Sequence, residues 1–162
     1  MLKNIGIIIL LVFATTQFIA EGRSSQFDNI NESANTSEDE KAPDFTLLTL
    51  NGEEVKLTDY EDKIVILDFW ATWCGPCRKG IPDLVSIQKE YKDDVVVIGI
   101  SLDQPSTQRN IEPFINHFGI NYPIVLGTID VVVAYGNIQA IPTSFIIDKE
   151  RNIVKKHVGL VP

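Results

Sequence analysis

The chain has 162 residues, room for one domain with a proper core plus additional sequence, and its 44% hydrophobic and 22% charged residues are ordinary for a globular protein. A net charge of −8, with fourteen basic residues scattered mostly singly, argues against a nucleic-acid-binding surface.

The first twenty residues, "MLKNIGIIILLVFATTQFIA", carry one lysine and then an unbroken apolar run from Ile5 to Ala14. That is the short positive n-region and h-region of a signal peptide, and it is rather short for a membrane span. Cleavage after Ala14 would use Val12 and Ala14 as the small residues, and cleavage after Ala20 would use the bulky Phe18. If Thr15 to Ala20 also enter lipid, residues 1–20 remain as an uncleaved membrane anchor. Both versions imply export. No cysteine stands near the end of the segment, which excludes a lipid-modified cysteine. Residues 21–41 are rich in Ser, Asn, Asp and Glu and cannot bury enough surface to offset their ordering entropy, so they read as an acidic flexible linker. "NES" at Asn31 and "NTS" at Asn35 match the glycosylation sequon, which matters only in a eukaryotic secretory cell. The domain is expected over 42–162, without internal repeats.

"DFTLLTLNGEEVKL" reads as a β-hairpin with Asn51-Gly52 supplying the positive-φ turn residues. "KIVILDFW", Lys63 to Trp70, is a near-continuous apolar run, as in a central strand buried on both faces. From Pro76 to about Tyr91 the pattern turns helical, with Ile81, Leu84, Val85, Ile87 and Tyr91 on one face and Pro82 expected to kink it. "DVVVIGISL" is a second buried strand. Ser106 or Thr107 can cap a helix running to about Phe118, "NYPIVLG" gives a short strand, and a short helix is expected over Asp130 to Tyr135. "TSFIIDKERNIVKKHVG" reads as two strands around a turn at Lys149 to Asn152. Strands alternating with helices and ending in a hairpin make an α/β fold with a mixed sheet.

"DFWATWCGPC" holds the only two cysteines, Cys74 and Cys77, at the strand-to-helix turn. Residues three apart in the first helical turn face the same side, within reach of disulfide geometry. So short a loop gives a structural disulfide little to stabilise. Cys74 at the helix N-terminus is favoured as thiolate and therefore as nucleophile. Cys77, one turn in and less exposed, would resolve the mixed disulfide. Gly75 lets a partner's backbone approach, and Pro76 suits the first helical turn. Zinc would require His117 and His157, the only histidines, but these lie forty positions apart and one falls in a strand. No metal or organic cofactor is required.

With "IP" following Cys77 and "IPTSF" at Ile141 to Phe145, the sequence resembles the thioredoxin superfamily, and within it the exported TlpA/ResA type of thiol–disulfide oxidoreductase. The export segment with its linker, the "APDFTLLTLNGEEVKL" hairpin and the long segment between Asp103 and Tyr135 carry the second resemblance. The resemblance implies a thioredoxin-like fold with helices flanking the mixed sheet, an N-terminal β-hairpin and a central helix–strand insertion. By sequence alone Pro142 would be an ordinary trans turn proline. The resemblance makes it the cis-proline facing the cysteines, with the Ile141 backbone pairing with a bound substrate chain, Pro82 the helix-kinking proline, and Trp73 the tryptophan beside the nucleophile. Asp68 matches a buried aspartate of cytoplasmic thioredoxins. Burial should raise its pKa, so that it exchanges a proton with Cys77 near neutral pH.

Gly99 stands where thioredoxins have a lysine near that aspartate, and Gly80 replaces a glutamate common in the subgroup, part of whose role Asp68 takes over. After "HVGLVP" the family pattern continues into a helix covering one sheet face; the expectation is either that the sequence is truncated at Pro162 or that something else covers that face. The implied function is reduction of disulfides in exported proteins, apocytochromes being one example. Electrons would come from a membrane-embedded thiol donor, in the periplasm or at the outer face of a bacterial cytoplasmic membrane, with the protein a monomer. The alternatives are a peroxiredoxin-like peroxidase, which shares the "APDFTL" opening but wants differently placed residues ahead of its cysteine, and a non-catalytic binding module, which commonly loses a cysteine.

Overall fold

The computed structural model describes residues 40–160; the expected export segment and nearly all of the expected linker fall outside them. Seven strands and three helices follow in the order β1 (Thr46–Leu48), β2 (Glu54–Lys56), β3 (Ile64–Trp70), α1 (Gly75–Glu90), β4 (Val95–Ser101), α2 (Ile111–Phe118), β5 (Ile124–Leu126), α3 (Ile129–Ala134), β6 (Thr143–Ile147) and β7 (Ile153–Val158). The main sheet has the order β5-β4-β3-β6-β7. Here β3, β4 and β5 are mutually parallel, β6 runs antiparallel to β3, and β7 antiparallel to β6. This is the thioredoxin-like α/β arrangement, and α2 with β5 forms the expected insertion.

The sheet is mixed because its connections differ in length. Helices α1 and α2 carry the chain back between parallel strands, while β6 and β7 are joined by a tight turn. Because successive side chains on a strand point to opposite faces, β3 supplies two cores. Val65, Leu67 and Phe69 join Ile98, Ile100, Phe145, Tyr135 and the buried hairpin residues Leu47 and Val55 on one face. Trp70 joins Val97, Ile111, Phe114, Ile81 and both cysteines on the other. Asp68 shares the parity of Trp70, so this lone carboxylate of the strand points to the α1 face.

Four local expectations change. In the hairpin turn only Gly52 adopts positive φ (81°), while Asn51 does not. Thr49 accepts from Gly52 N–H, and its own N–H donates to Glu53 O. That is a three-residue loop with one left-handed position, where the two-residue loop expected from Asn-Gly needs two. Tyr91 is 49% exposed, because α1 ends at Glu90 and the tyrosine caps it outside the packed face. Neither Ser106 nor Thr107 caps a helix: the Thr107 hydroxyl donates to Gln104 O, and a 3-10 turn at Gln108–Asn110 intervenes before α2. Backbone pairing begins slightly before Ala42, since Lys41 bridges Asn152 and Ile153 N–H donates to Glu40 O.

Helix α1 runs through Pro82, whose ring nitrogen leaves one intrahelical bond unmade. Gly99 lies in register with Asp68 on the neighbouring strand. A Cβ at position 99 would sit 2.5 Å from Ile124 Cδ1 and 2.9 Å from the Trp70 indole nitrogen. There is therefore no room for the lysine that thioredoxins carry near their aspartate. Gly99→Ala is expected to destabilise the fold by about 1–3 kcal/mol through overpacking, read as a lower urea midpoint with an unchanged m-value.

Candidate active site

Strand β3 ends at Trp70, and the chain turns through Ala71, Thr72 and Trp73 into α1. Cys74 is the N-cap of that helix in extended conformation, and Pro76 stands in its first turn. Cys74 and Cys77 form a disulfide with Cα atoms 5.3 Å apart. The Cys77 N–H donates to Cys74 Sγ (3.2 Å), so one of the helix's unpaired amides already points at the sulfur that would carry a thiolate. Cys74 Sγ also lies 3.6 Å from the Ile141 carbonyl oxygen, a contact the thiol can make as an S–H donor. The Ile141–Pro142 peptide bond is cis.

Exposure separates the two sulfurs less than their positions suggest. Cys74 is 4% and Cys77 2% exposed, both inside a cluster with Trp70, Ala71 and Ile81 against which Ile141 packs, whereas Trp73 is 60% exposed. Gly75 and Pro76 are exposed as well. An open apron of Trp73, Gly75 and Pro76 thus surrounds a nearly closed disulfide.

Below it lies a cavity of about 150 Å3 lined by Asp68, Cys77, Gly80, Pro142, Ser144 and Leu160, among others. Asp68 is 5% exposed, and its Oδ1 accepts from the Ser144 hydroxyl at 2.8 Å. Burial raises the Asp68 carboxyl to about 7 even though the Ser144 hydrogen bond acts to lower it. A Cβ on Gly80 would sit 3.3 Å from Leu160 Cδ1, so Leu160 packs over the place where a glutamate side chain would begin.

The structure therefore brings Cys74, Cys77 and the Ile141–Pro142 bond together, and places Asp68 on the cavity that Cys77 also lines. It does not bring the histidines to the cysteines: His117 is on α2 and His157 on β7. Among the described residues no group of His, Cys, Asp or Glu is placed to hold a metal.

Sequence reasoning missed three residues. Ser144 reaches Asp68 from the adjacent strand; its signal is a polar residue alternating with the apolar ones of "TSFII". Asp103 is buried under the active-site loop and accepts from Thr72 N–H (2.8 Å), Thr72 Oγ1 (2.6 Å) and Ser101 Oγ (3.0 Å). Arg78 donates through Nε and Nη2 to the Thr72 carbonyl at 3.1 and 2.7 Å.

A thioredoxin fold with a Cys-Gly-Pro-Cys disulfide at the first turn of the helix after the central strand defines a dithiol–disulfide protein. The chain belongs to the AhpC/TSA family, whose model matches residues 39–156. It is 36% identical over 123 residues to thioredoxin-like protein YneN of Bacillus subtilis, covering 75% of this chain and 72% of that one. Thiol-disulfide oxidoreductase ResA of Bacillus subtilis is 30% identical over 154 residues, 95% of this chain and 82% of that one. Among solved structures, a thiol:disulfide interchange protein DsbE from Chlorobium tepidum superposes with a TM-score of 0.69 at 34% identity, covering 76% of this chain and 86% of that one. Relatives that are thiol–disulfide oxidoreductases, together with the Cys74–Cys77 pair, make this chain an oxidoreductase of that kind.

The raised Asp68 pKa has a consequence for stability. An unfolded aspartate titrates near 3.9, so between about pH 4 and about pH 7 the folded state holds a proton that the unfolded state has lost. Asp68 thus makes the fold progressively less stable over that window, by up to about 4 kcal/mol, and its effect levels off above about 7. The Asp68→Asn variant should match wild type near pH 4 and exceed it increasingly towards pH 8, in denaturant titrations across that range.

Proposed function

We propose that the protein reduces disulfides in exported proteins, with Cys74 as nucleophile, Cys77 as resolving thiol and Asp68 as the proton acceptor. The observation that carries this reading is the Cys74–Cys77 disulfide at a helix N-terminus, with Cys77 and the high-pKa Asp68 lining one cavity. In the reduced protein the Cys74 thiolate attacks one sulfur of a substrate disulfide, forms a new S–S bond and releases the other substrate sulfur as thiolate. Cys77 then attacks the Cys74 sulfur. Its thiol proton passes to the Asp68 carboxylate, the Cys74–Cys77 bond forms, and the remaining substrate sulfur leaves as thiolate. Two electrons have moved from the dithiol to the substrate.

Trp73, Gly75 and Pro76 on one side and Ile141 and Pro142 on the other form the surface on which the substrate chain lies, with the Ile141 backbone as its pairing partner. No cofactor takes part. A second dithiol must restore the reduced form, and a membrane-embedded thiol donor suits a protein exported by residues 1–20. Residues 21–41 then act as a spacer, and residues 42–162 work as a monomer at the outer face of the membrane. Apocytochromes are one class of substrate that such a pathway serves. The AhpC/TSA name includes peroxidases, but here the Thr72 hydroxyl is bound to Asp103. Peroxide consumption should not exceed that of a free dithiol.

The reduction potential of the Cys74–Cys77 couple, equilibrated against thiol buffers, tests the direction. A value near about −270 mV fits a reductase, and one near about −120 mV would make the protein a disulfide donor instead. In trapping experiments Cys77→Ser should accumulate a mixed disulfide through Cys74, and Cys74→Ser should form none. Asp68→Asn should slow resolution at pH 7 by about 10²-fold, the lower end of general-base contributions, with less effect as the pH rises and Cys77 ionises unaided.

A further inference from the structure

A second groove, of about 390 Å3, opens on the Trp73 side of the disulfide, away from the Asp68 cavity. Trp73, Arg78, Pro113, Phe114, His117 and Phe118 line it. Its walls are aromatic: Phe114 and Phe118 stack 4.4 Å apart between centroids, and the Arg78 guanidinium lies over the Phe114 ring at 5.8 Å. Its lining contains one permanent charge, Arg78, and no carboxylate.

Arg78 is held unusually well for an exposed arginine. Two of its five N–H groups point at the Thr72 carbonyl, and Thr72 is in turn fixed by its amide and hydroxyl to the buried Asp103. Ser101 steadies Asp103 from the end of β4. The remaining guanidinium N–H groups are open to a ligand, and among the described residues no carboxylate pairs with Arg78. A cation fixed in advance costs a partner less ordering entropy than a mobile side chain does. Arg78 is one helical turn from Cys74, so whatever meets it is next to the reacting sulfur.

We propose that this groove receives the stretch of substrate polypeptide flanking its cysteine and selects for an acidic side chain there. Arg78 is the specificity-determining residue, and Asp103, acting through Thr72, is a positioning residue. The inference rests on the disulfide-reductase reading and adds the charge of the partner to it. The choice of an acidic partner follows from charge complementarity: this is a local positive site on a chain of net charge −8, and a basic flanking residue would find no carboxylate in the groove.

The test uses the reduced full chain and two disulfide-linked peptides, identical except for Glu or Lys two residues from the cysteine. The readout is the second-order rate of Cys74 oxidation at low salt. The Glu peptide should react roughly 3- to 5-fold faster, the span expected for one partly exposed ion pair, and the ratio should shrink in high salt. Arg78→Glu, a surface change, should invert the preference. Asp103→Ala should bring the ratio towards one. Asp103→Asn should restore it, because its amide can accept from Thr72 N–H and donate to Thr72 Oγ1. Equal rates for the two peptides in wild type, or a preference that survives Arg78→Glu, would overturn the proposal while leaving the reductase reading intact. Failure to reduce either peptide would count against the reductase reading itself.

Discussion

The active end of this molecule depends on β3 being hydrogen-bonded along both edges, to β4 on one side and β6 on the other. A strand fixed in that way cannot slide by one residue without turning Leu67 and Phe69 out of one core and Trp70 out of the other. Its last residue is therefore held in place, and so is the turn that begins there. Cys74 inherits that rigidity, as does the amide of Cys77 directed at its sulfur. The same lock forces Asp68, fifth of the strand's seven buried or half-buried side chains, to stay inside an apolar face even though its charged form would gain from leaving. The stability given up in holding a carboxylate there suits the proton-acceptor role proposed for Asp68.

The two sides of the disulfide are built differently. One side is a small, partly open cavity whose lining includes Asp68, Asp83, Ser144 and Cys77. The other is an open aromatic trough with a clamped guanidinium. On the proposed mechanism the first side handles a proton and the second meets a polypeptide. Because both sides begin at the same loop, Thr72 to Cys77, a single six-residue segment connects the disulfide to the proposed recognition surface.

What could be read from the sequence was whatever expresses itself as a period or a local spacing. The strand "IVILDFW" and the helix after Cys77 declare themselves by burial pattern, and the Cys-Gly-Pro-Cys spacing declares its chemistry. The pairing of Thr72 with Asp103 spans 31 positions and joins two loops, so no local pattern announces it. Ser144 reaches Asp68 across 76 positions for the same reason. Turn conformations were also hard to read. Gly52 takes the left-handed position that its type suggests, but Arg151 adopts φ 68° in the β6–β7 turn, where its guanidinium reaches Asp44 and Glu61. This turn has the same bonding as the first hairpin, Asp148 N–H donating to Asn152 O and Arg151 N–H to Asp148 O, so the loop geometry sets the left-handed position whatever residue stands there. Tyr91 shows the opposite error, since correct helical spacing continued one residue past the end of the packed face.

Leu160 and Gly80 are separated by half the chain but meet closely: a Cβ on Gly80 would stand 3.3 Å from Leu160 Cδ1, so the leucine end would have to move by a few tenths of an ångström. A family member that places a long acidic residue after the second cysteine would have to move the residue following β7, and one that keeps the leucine has the least strain with glycine there. Substitution histories at the two sites should therefore be linked, and grafting either residue alone into a relative would transfer half of a fit.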